Sequence, residues 1–239
     1  MVALLVVATI VCFLTIDLIV QAVERRRSPV PATAKVRTAK FARQLGLWHR
    51  PIPSGVFVDP GHSWSLLDPT GSLKIGVDQL VLAAIGTVDR IETLPIGTEV
   101  RRGQPILRLF RGEQVLEVGA PASGAVREWN GALFQDPRLA TERLYADNGW
   151  LIKIVPDHLD EELGLWKIAR ESARWIQSEV ARVRALAAEG LFSATPVPVA
   201  ADGGDPVEGF LAEAHPLGWD RFNESFLHTH PTTDHPTTI

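Results

Sequence analysis

The N-terminus of the chain is a nearly unbroken run of apolar residues. From Val2 to Val23 only four polar residues interrupt the run, and one of them is Asp17. About 20 such residues are enough to cross the ~30 Å hydrocarbon core of a bilayer. The pattern therefore predicts a transmembrane anchor over residues 1–24.

Basic residues follow the apolar run and do not precede it. Arg25, Arg26 and Arg27 come directly after it, whereas a cleaved signal peptide has a basic residue before its apolar stretch and a small-x-small site after it. Further basic residues continue to Arg50, so residues 25–55 are predicted to be a basic juxtamembrane linker. By the positive-inside rule, the protein is expected to be a single-pass cell-membrane protein with its N-terminus outside and its main domain in the cytoplasm.

One acidic residue lies inside the predicted span. Asp17 costs about 2.5–3.5 kcal/mol at the centre of a bilayer and less near an end. Two interpretations stay open. In the first, the carboxyl group extends to the inner interface or is protonated near it. In the second, Asp17 pairs with a polar residue on another subunit's transmembrane helix.

Residues 56–156 alternate short β-type runs with turns rich in Gly, Pro and Asp, which is typical of a β-rich module. Between the runs, Val77–Ile85 and Pro137–Leu144 have the length and composition of short helices, and Asp78 lies near the start of the first, where the helix dipole favours a negative charge. The pattern predicts an α+β fold built around a β-rich barrel or sandwich. The predicted strands are Trp64–Leu67, Leu73–Val77, Thr87–Leu94, Gln104–Phe110, Gln114–Val118, Gly124–Trp129 and Trp150–Ile154.

Residues 157–190 have the apolar periodicity of a long amphipathic helix. Apolar side chains recur every three or four positions from Leu159 to Ala187, and Gly190 ends the pattern. Trp166 and Trp175 contribute to an apolar surface wider than one packing seam needs. This helix is expected either to lie across the β-rich domain or to dock on a partner protein.

The last segment, residues 191–239, is dominated by Pro, Ala, Gly, Thr and His and is predicted to be flexible. Residues 217–227 differ, because Trp219, Phe222 and Phe226 share one helical face. Such a segment is either a docking motif that folds into a partner's groove or a segment that packs on its own domain.

Composition and charge narrow the function. The 239 residues, 46% of them hydrophobic, suffice for one domain with attachments, and a formal net charge of −4 argues against a nucleic-acid binder. The only cysteine, Cys12, lies inside the apolar run, which excludes an internal disulfide and a thiolate metal cluster. No Ser/His/Asp series, phosphate loop or paired carboxylates stand out, and the tail histidines are interpreted as incidental, so neither an enzyme nor a metal site is predicted.

Six sequence blocks occur in order along the β-rich region: His62-Ser63-Trp64, Leu73–Val77, Leu94–Val100, Gly103-Gln104-Pro105, Ala120–Val126 and Gly149–Ile154. This ordered series resembles the glycine cleavage system H protein family. It covers about 100 of the 239 residues and implies that family's lipoyl-type barrel-sandwich hybrid fold. A weaker competitor is the lipoyl-like hairpin of membrane-fusion subunits of export systems, which lacks the first and last of these blocks and normally faces outward.

The resemblance also locates the position on which the family's chemistry depends. In the family, a lysine at the tip of a β-hairpin carries lipoate on a swinging arm, and the protein supplies an exposed amine on a rigid hairpin. Counted back from Pro121 by the family spacing, this position is Glu113, and no lysine occurs between Lys74 and Lys153. A carboxylate cannot form the amide to lipoate. The resemblance therefore implies that lipoate is not expected as a cofactor here and that the carrier function is lost.

Three hypotheses follow for the function. The first is a non-catalytic, membrane-anchored scaffold or accessory subunit that recruits a cytoplasmic or redox partner, such as a membrane or redox complex. Its docking candidates are Trp166, Trp175, Trp219, Phe222 and Phe226, with Asp17 as a candidate for pairing in the membrane. The second is a regulator or decoy related to the H protein that docks on lipoyl-handling enzymes. The third is a periplasmic adaptor with a lipoyl-like hairpin, which requires the opposite topology.

Overall fold

A computed structural model describes residues 46–190, 192 and 204–227 of the chain. The predicted membrane anchor with Asp17, most of the basic linker and the tail histidines lie outside the described residues. Within the described ranges, no helix has the length and apolar character needed to cross a bilayer.

Ten short strands form the framework of this region, and each runs antiparallel to its neighbours. The strands in chain order are β1 (Phe57–Val58), β2 (Ser63–Leu67), β3 (Leu73–Val77), β4 (Arg90–Thr93), β5 (Glu99–Val100), β6 (Pro105–Arg111), β7 (Gln114–Gly119), β8 (Gly124–Trp129), β9 (Ile152–Pro156) and β10 (Lys167–Ile168).

The strands assemble into two sheets. The larger has the order β10-β1-β2-β3-β9-β8-β5 and the smaller the order β4-β6-β7. Alternation along the strands puts one face of each sheet on the core. In β6, for example, Leu107 and Leu109 are buried while Arg108 between them is exposed. The architecture is the β-rich sandwich that the sequence pattern predicted.

Short helices cover the sheets and complete the core. All seven residues of the first helix, α1, are buried, and the preceding Asp78 caps it by accepting hydrogen bonds from the N–H groups of Leu80 at 2.9 Å and Val81 at 3.3 Å. The helices are α1 (Gln79–Ile85), α2 (Gly131–Gln135), α3 (Leu139–Glu142), α4 (Leu159–Leu163), α5 (Arg170–Ala188) and α6 (Pro216–Phe222), with a 3₁₀ turn at Phe210–Glu213 and a π-helical turn at Asn223–Leu227.

The seven predicted strands are all present, with bounds that differ by up to three residues at an end. The predicted helix at Val77–Ile85 is present as α1, while the predicted Pro137–Leu144 helix is reduced to α3. The sequence pattern missed β1, β5 and β10, which have two residues each and are too short to show an alternation.

Residues 157–190 do not form the single long helix that was predicted. They form α4, β10 and α5, and Ala169 between the last two has a φ of +53°. The indole N–H of Trp166 donates a hydrogen bond to the carbonyl of Pro121 at 3.1 Å, and β10 pairs with β1. Because strand pairing needs extended backbone, these tertiary contacts override the helical periodicity. The domain therefore extends beyond residue 156, and only α5 keeps the predicted amphipathic pattern.

Residues 204–227, here called the C-terminal strap, fold onto the domain, which corrects the prediction that the tail is flexible outside residues 217–227. The indole N–H of Trp48 donates to the carbonyl of Pro206 at 2.8 Å, and the backbone N–H of Leu47 donates to Glu208 at 2.5 Å. Leu47 and Trp48 are themselves buried. The end of the predicted linker is thus part of the folded core, because its apolar side chains pack against the strap.

Candidate functional site: the β6–β7 hairpin and its supports

Strands β6 and β7 form a hairpin with a two-residue tip. Arg111 pairs with Gln114, which leaves Gly112 and Glu113 as the turn. Gly112 has a φ of +58°, a conformation that glycine adopts without strain at the first central position of such turns. Its N–H donates to the Asp89 carboxylate at 2.8 Å. Glu113 is exposed, so the hairpin presents this carboxylate to solvent.

Two arginines stabilise the hairpin in different ways. Arg108 pairs with Glu117 across the two strands of the hairpin at 2.8 Å. The guanidinium of Arg111 donates a hydrogen bond to the carbonyl of Ile85 at the end of α1. The contact of Arg111, together with that of Gly112 to Asp89, ties the tip to the core, so Glu113 projects from a supported turn.

The C-terminal strap covers the outer edge of β7. The side-chain oxygen of Asn223 accepts a hydrogen bond from the N–H of Glu117 at 3.0 Å, and its NH₂ group donates to the carbonyl of Val115 at 3.0 Å. One side chain thus satisfies two backbone groups that an edge strand would otherwise leave open. Nothing in the sequence around Asn223 indicated this role.

The aromatic residues of the strap lie inside the protein. Trp219, Phe222 and Phe226 are at most 2% exposed, and the rings of Phe222 and Phe226 stack with centroids 4.9 Å apart. Phe192 lies against both phenylalanines, at centroid distances of 5.8 and 6.4 Å. Of the two interpretations of residues 217–227, the structure shows packing on the chain's own domain. Their apolar surface is covered by the chain's own domain, so the predicted docking role of these three residues would require this packing to open.

The two predicted docking tryptophans of residues 157–190 have different surroundings. Trp166 is buried beside the ring of Phe57, so its predicted docking role would likewise require this packing to open. Trp175 is half-buried on α5 and lines an open cavity of about 560 Å³. Only Trp175 of the five predicted docking residues keeps accessible surface.

A buried charged network joins the β-rich domain to α5. His62 has no exposed side-chain surface; its Nδ1 lies 2.8 Å from Asp78 Oδ2, and its Nε2 lies 3.7 Å from Glu179 Oε2. Burial disfavours the charged imidazolium, but the charges of Asp78 and Glu179 and the hydrogen bond to Asp78 outweigh it and raise the pKa of His62 to about 9. Arg182 in turn pairs with Glu179 at 2.8 Å. The sequence pattern contained His62 but did not reveal its carboxylate partners.

The side chains packed on His62 are aromatic. The indole of Trp175 stacks on the imidazole with centroids 4.9 Å apart, and the ring of Phe226 lies at 6.0 Å. The network therefore lies where β2, α5 and the C-terminal strap meet, and its role is structural.

The two lysines that flank the hairpin in sequence are structural. Lys74 in β3 and Lys153 in β9 lie directly opposite each other. Lys74 pairs with Asp147 at 2.7 Å, and Lys153 pairs with Glu128 at 2.8 Å. Their side chains are 13% and 18% exposed, so neither presents a free amine at a hairpin tip.

Comparison with known proteins identifies the family. A family model described as glycine cleavage H-protein matches residues 57–178. A probable glycine cleavage system H protein of Thermococcus gammatolerans is 30% identical over 127 residues, which are 53% of this chain and 93% of that protein. The glycine cleavage system H protein 2 of Aquifex aeolicus is 31% identical over 113 residues, 47% of this chain and 70% of that protein.

A crystal structure of a glycine cleavage system H protein from Mycobacterium marinum is also similar. It matches with a TM-score of 0.39 and 26% identity, over 44% of this chain and 86% of that one. The sandwich and its hairpin define a lipoyl-type domain. On the family match and the relatives above, the chain belongs to the glycine cleavage H-protein family.

Proposed function

We propose that this chain is a membrane-anchored, non-lipoylated H-protein-family scaffold or accessory subunit that recruits a protein partner to the membrane. The observation that carries the proposal is the exposed carboxylate of Glu113 at the tip of the β6–β7 hairpin. This is the position at which the resemblance puts the family's carrier lysine. The hairpin and the contacts that support it are present. The lysine amine that forms the amide to lipoate in the family is replaced here by a carboxylate, which cannot form that amide.

The surroundings of the tip support the loss of the carrier function. Lys74 and Lys153 are the nearest lysines on either side in sequence, and both are held in ion pairs on neighbouring strands. Neither can replace a lysine at the tip, because a swinging arm needs a freely exposed attachment point. The domain is then a recognition module without a prosthetic group, and no catalytic role is proposed for it.

The membrane location rests on the N-terminal sequence. The apolar run over residues 1–24 is followed by Arg25, Arg26 and Arg27, a pattern typical of a single span with its C-terminal side in the cytoplasm. The anchor would hold the domain at the inner surface of the cell membrane. The partner is proposed to be a protein of a membrane or redox complex.

The loss of lipoylation is tested by intact-mass spectrometry. The full chain is expressed in lipoate-supplied cells that lipoylate a known H protein in parallel. The wild-type chain is expected to have its unmodified mass, whereas Glu113→Lys, which restores an amine to the tip, is expected to gain a lipoyl group. A lipoyl group on the wild-type chain would contradict the proposal.

The scaffold role is tested by gentle detergent extraction of the tagged chain. The expected result is a stoichiometric set of membrane or redox subunits that co-purify with it. Glycine-cleavage enzymes as the main companions would favour a regulator or decoy of the H protein instead. Protease protection of the main domain in spheroplasts reports the topology; digestion from outside would favour the periplasmic adaptor.

A further inference from the structure

Three large aliphatic side chains are exposed within a short stretch of sequence that leads into the edge of the larger sheet. Leu163, Leu165 and Ile168 are 39%, 51% and 43% exposed, and they lie within six consecutive residues that end in the edge strand β10. Single exposed apolar residues are common, but a group of them marks a contact surface.

Basic side chains accompany these aliphatic residues. Residues 163–178 contain Lys167, Arg170 and Arg174 but only one acidic residue, Glu171, which pairs with Lys167 at 3.0 Å. Among the described residues, no carboxylate lies within ion-pair distance of Arg170 or Arg174. This local excess contrasts with the chain as a whole, which contains 24 Lys and Arg against 28 Asp and Glu.

The open cavity on α5 lies within the same stretch. It is lined by Lys167, Glu171, Arg174, Trp175 and Ser178 and has a volume of about 560 Å³. The lining thus offers Arg174, Lys167 in its ion pair with Glu171, a hydroxyl and the edge of an indole, and guanidinium, hydroxyl and indole groups contact phosphate-bearing headgroups. Tryptophan is enriched at the level of the headgroups, where its ring is partly apolar and partly hydrated.

We propose that this surface, the interfacial face (Leu163, Leu165, Lys167, Ile168, Arg170, Arg174 and Trp175), rests on an anionic lipid bilayer. The inference deepens the proposed membrane location and rests on it. Long basic side chains extend toward headgroups while aliphatic side chains enter the boundary of the acyl region. An acidic domain held near an anionic surface by its anchor turns its basic face toward that surface, so the interfacial face would set the domain's orientation.

A lipid surface fits this face better than a protein strand does. The edge strand β10 has only two residues, which is too short to template a further strand. On the C-terminal side the aliphatic residues are followed by Arg170 and Arg174, which have no carboxylate within ion-pair distance in the described region. On the N-terminal side Leu163 follows three acidic residues of α4, Asp160, Glu161 and Glu162, of which Glu162 is paired with Arg102 at 2.9 Å. This combination matches the composition of interfacial membrane-binding surfaces.

The test measures the depth of one side chain in a membrane, using the full chain with Cys12→Ser as background. A single cysteine replaces Leu165 and is labelled with a fluorophore. Quenching of its fluorescence by nitroxide-labelled lipids is measured in phosphatidylcholine vesicles with and without phosphatidylglycerol. Leu67, 47% exposed at the end of β2, is the matched control position. Quenching is expected at position 165 but not at 67, and to be strongest with phosphatidylglycerol. Arg170→Glu with Arg174→Glu should reduce it to the level of the control.

Equal quenching at both positions, or none at 165 in a chain that floats with the vesicles, would overturn the inference. A second outcome would also overturn the inference: the label at position 165 is not quenched in vesicles but is protected in native membranes, and mild detergent removes that protection. This outcome would assign the face to a protein partner. Flotation with vesicles of phosphatidylcholine alone tests the anchor separately. The chain could fail to float with phosphatidylcholine vesicles and still be quenched at position 165 in vesicles that contain phosphatidylglycerol. That result would refute the proposed anchor but support the interfacial face.

Discussion

The side-chain oxygen of Asn223 accepts a hydrogen bond from the backbone N–H of Glu117, although 106 residues separate them in sequence. Glu117 lies in the hairpin strand β7, within the family match, and Asn223 lies beyond it in the C-terminal strap. The strap therefore closes the hairpin edge with a side-chain amide in place of a further strand. In this protein a segment outside the matched region completes the lipoyl-type domain.

Replacing Asn223 should open this edge. Asn223→Ala leaves the N–H of Glu117 and the carbonyl of Val115 without their partner, which is expected to cost about 1–3 kcal/mol of unfolding free energy. Amide hydrogen exchange at Glu117 should accelerate, as measured by NMR. Glu224→Ala, at the exposed neighbouring position, is the control and should change neither quantity. Unchanged exchange at Glu117 in Asn223→Ala would show that the amide does not protect the strand.

The strap is expected to stabilise the whole domain. Phe226→Ala removes a fully buried ring that stacks on Phe222, and it should lower the free energy of unfolding by about 3–5 kcal/mol. Leu217→Ala, nine residues earlier and 59% exposed, should change it by less than about 0.5 kcal/mol. Urea unfolding followed by tryptophan fluorescence measures both. Similar values for the two variants would mean that the strap does not share the domain's core.

The buried histidine predicts a pH dependence of stability. The pKa of His62 is about 9 in the folded state and 6.5 as its unperturbed value, so its contribution is fully present below pH 6.5 and is lost as pH rises through 9. The loss should be on the order of 3 kcal/mol, measured as the change in unfolding free energy between pH 6 and pH 10. His62→Gln removes the titrating group.

The comparison with His62→Gln isolates this effect. Burial raises the pKa of Tyr145 well above 10, so ionisation of Tyr145 in the unfolded chain begins to lower stability near pH 10, and this effect is common to both chains and cancels in the comparison. Burial disfavours the ionised form of Glu179, but the interactions with His62 and Arg182 outweigh this effect and lower the pKa of Glu179, so Glu179 titrates in acid. A wild-type chain whose stability decreases no more than that of His62→Gln over this range would exclude a charged His62 at neutral pH.

A glycine at the β2–β3 contact should not tolerate a methyl group. A Cβ at Gly76 would lie 2.5 Å from the buried ring of Trp64, so Gly76→Ala is expected to destabilise the fold by about 1–3 kcal/mol through overpacking. Gly131→Ala is the matched control, because a Cβ there meets no atom within 4 Å. Thermal unfolding midpoints should separate the two variants. A Gly76→Ala chain with the midpoint of Gly131→Ala would show that Trp64 can move.

The local pattern of apolar and polar residues was sufficient to predict the strands of the sandwich and of the hairpin. Strands such as β3 and β8 were predicted with their observed bounds, because a two-residue period and Gly or Asp turns act over a few neighbouring residues. The spacing from Pro121 likewise predicted Glu113 at the hairpin tip, where the structure has it exposed. The position of Asp78 at the start of α1 is also local and was expected from the helix dipole, whereas its capping hydrogen bonds are seen only in the structure.

The sequence by itself thus determined the β-rich domain, its family and the residue at its tip. Only the tertiary structure decided what covers the apolar surfaces outside these strands. Trp166 turned into the core and interrupted the predicted long helix, and the aromatic residues around Phe226 packed against the hairpin domain. An amphipathic pattern states that a face must be buried but not by which surface, so packing on the same chain and docking on a partner have the same pattern in sequence.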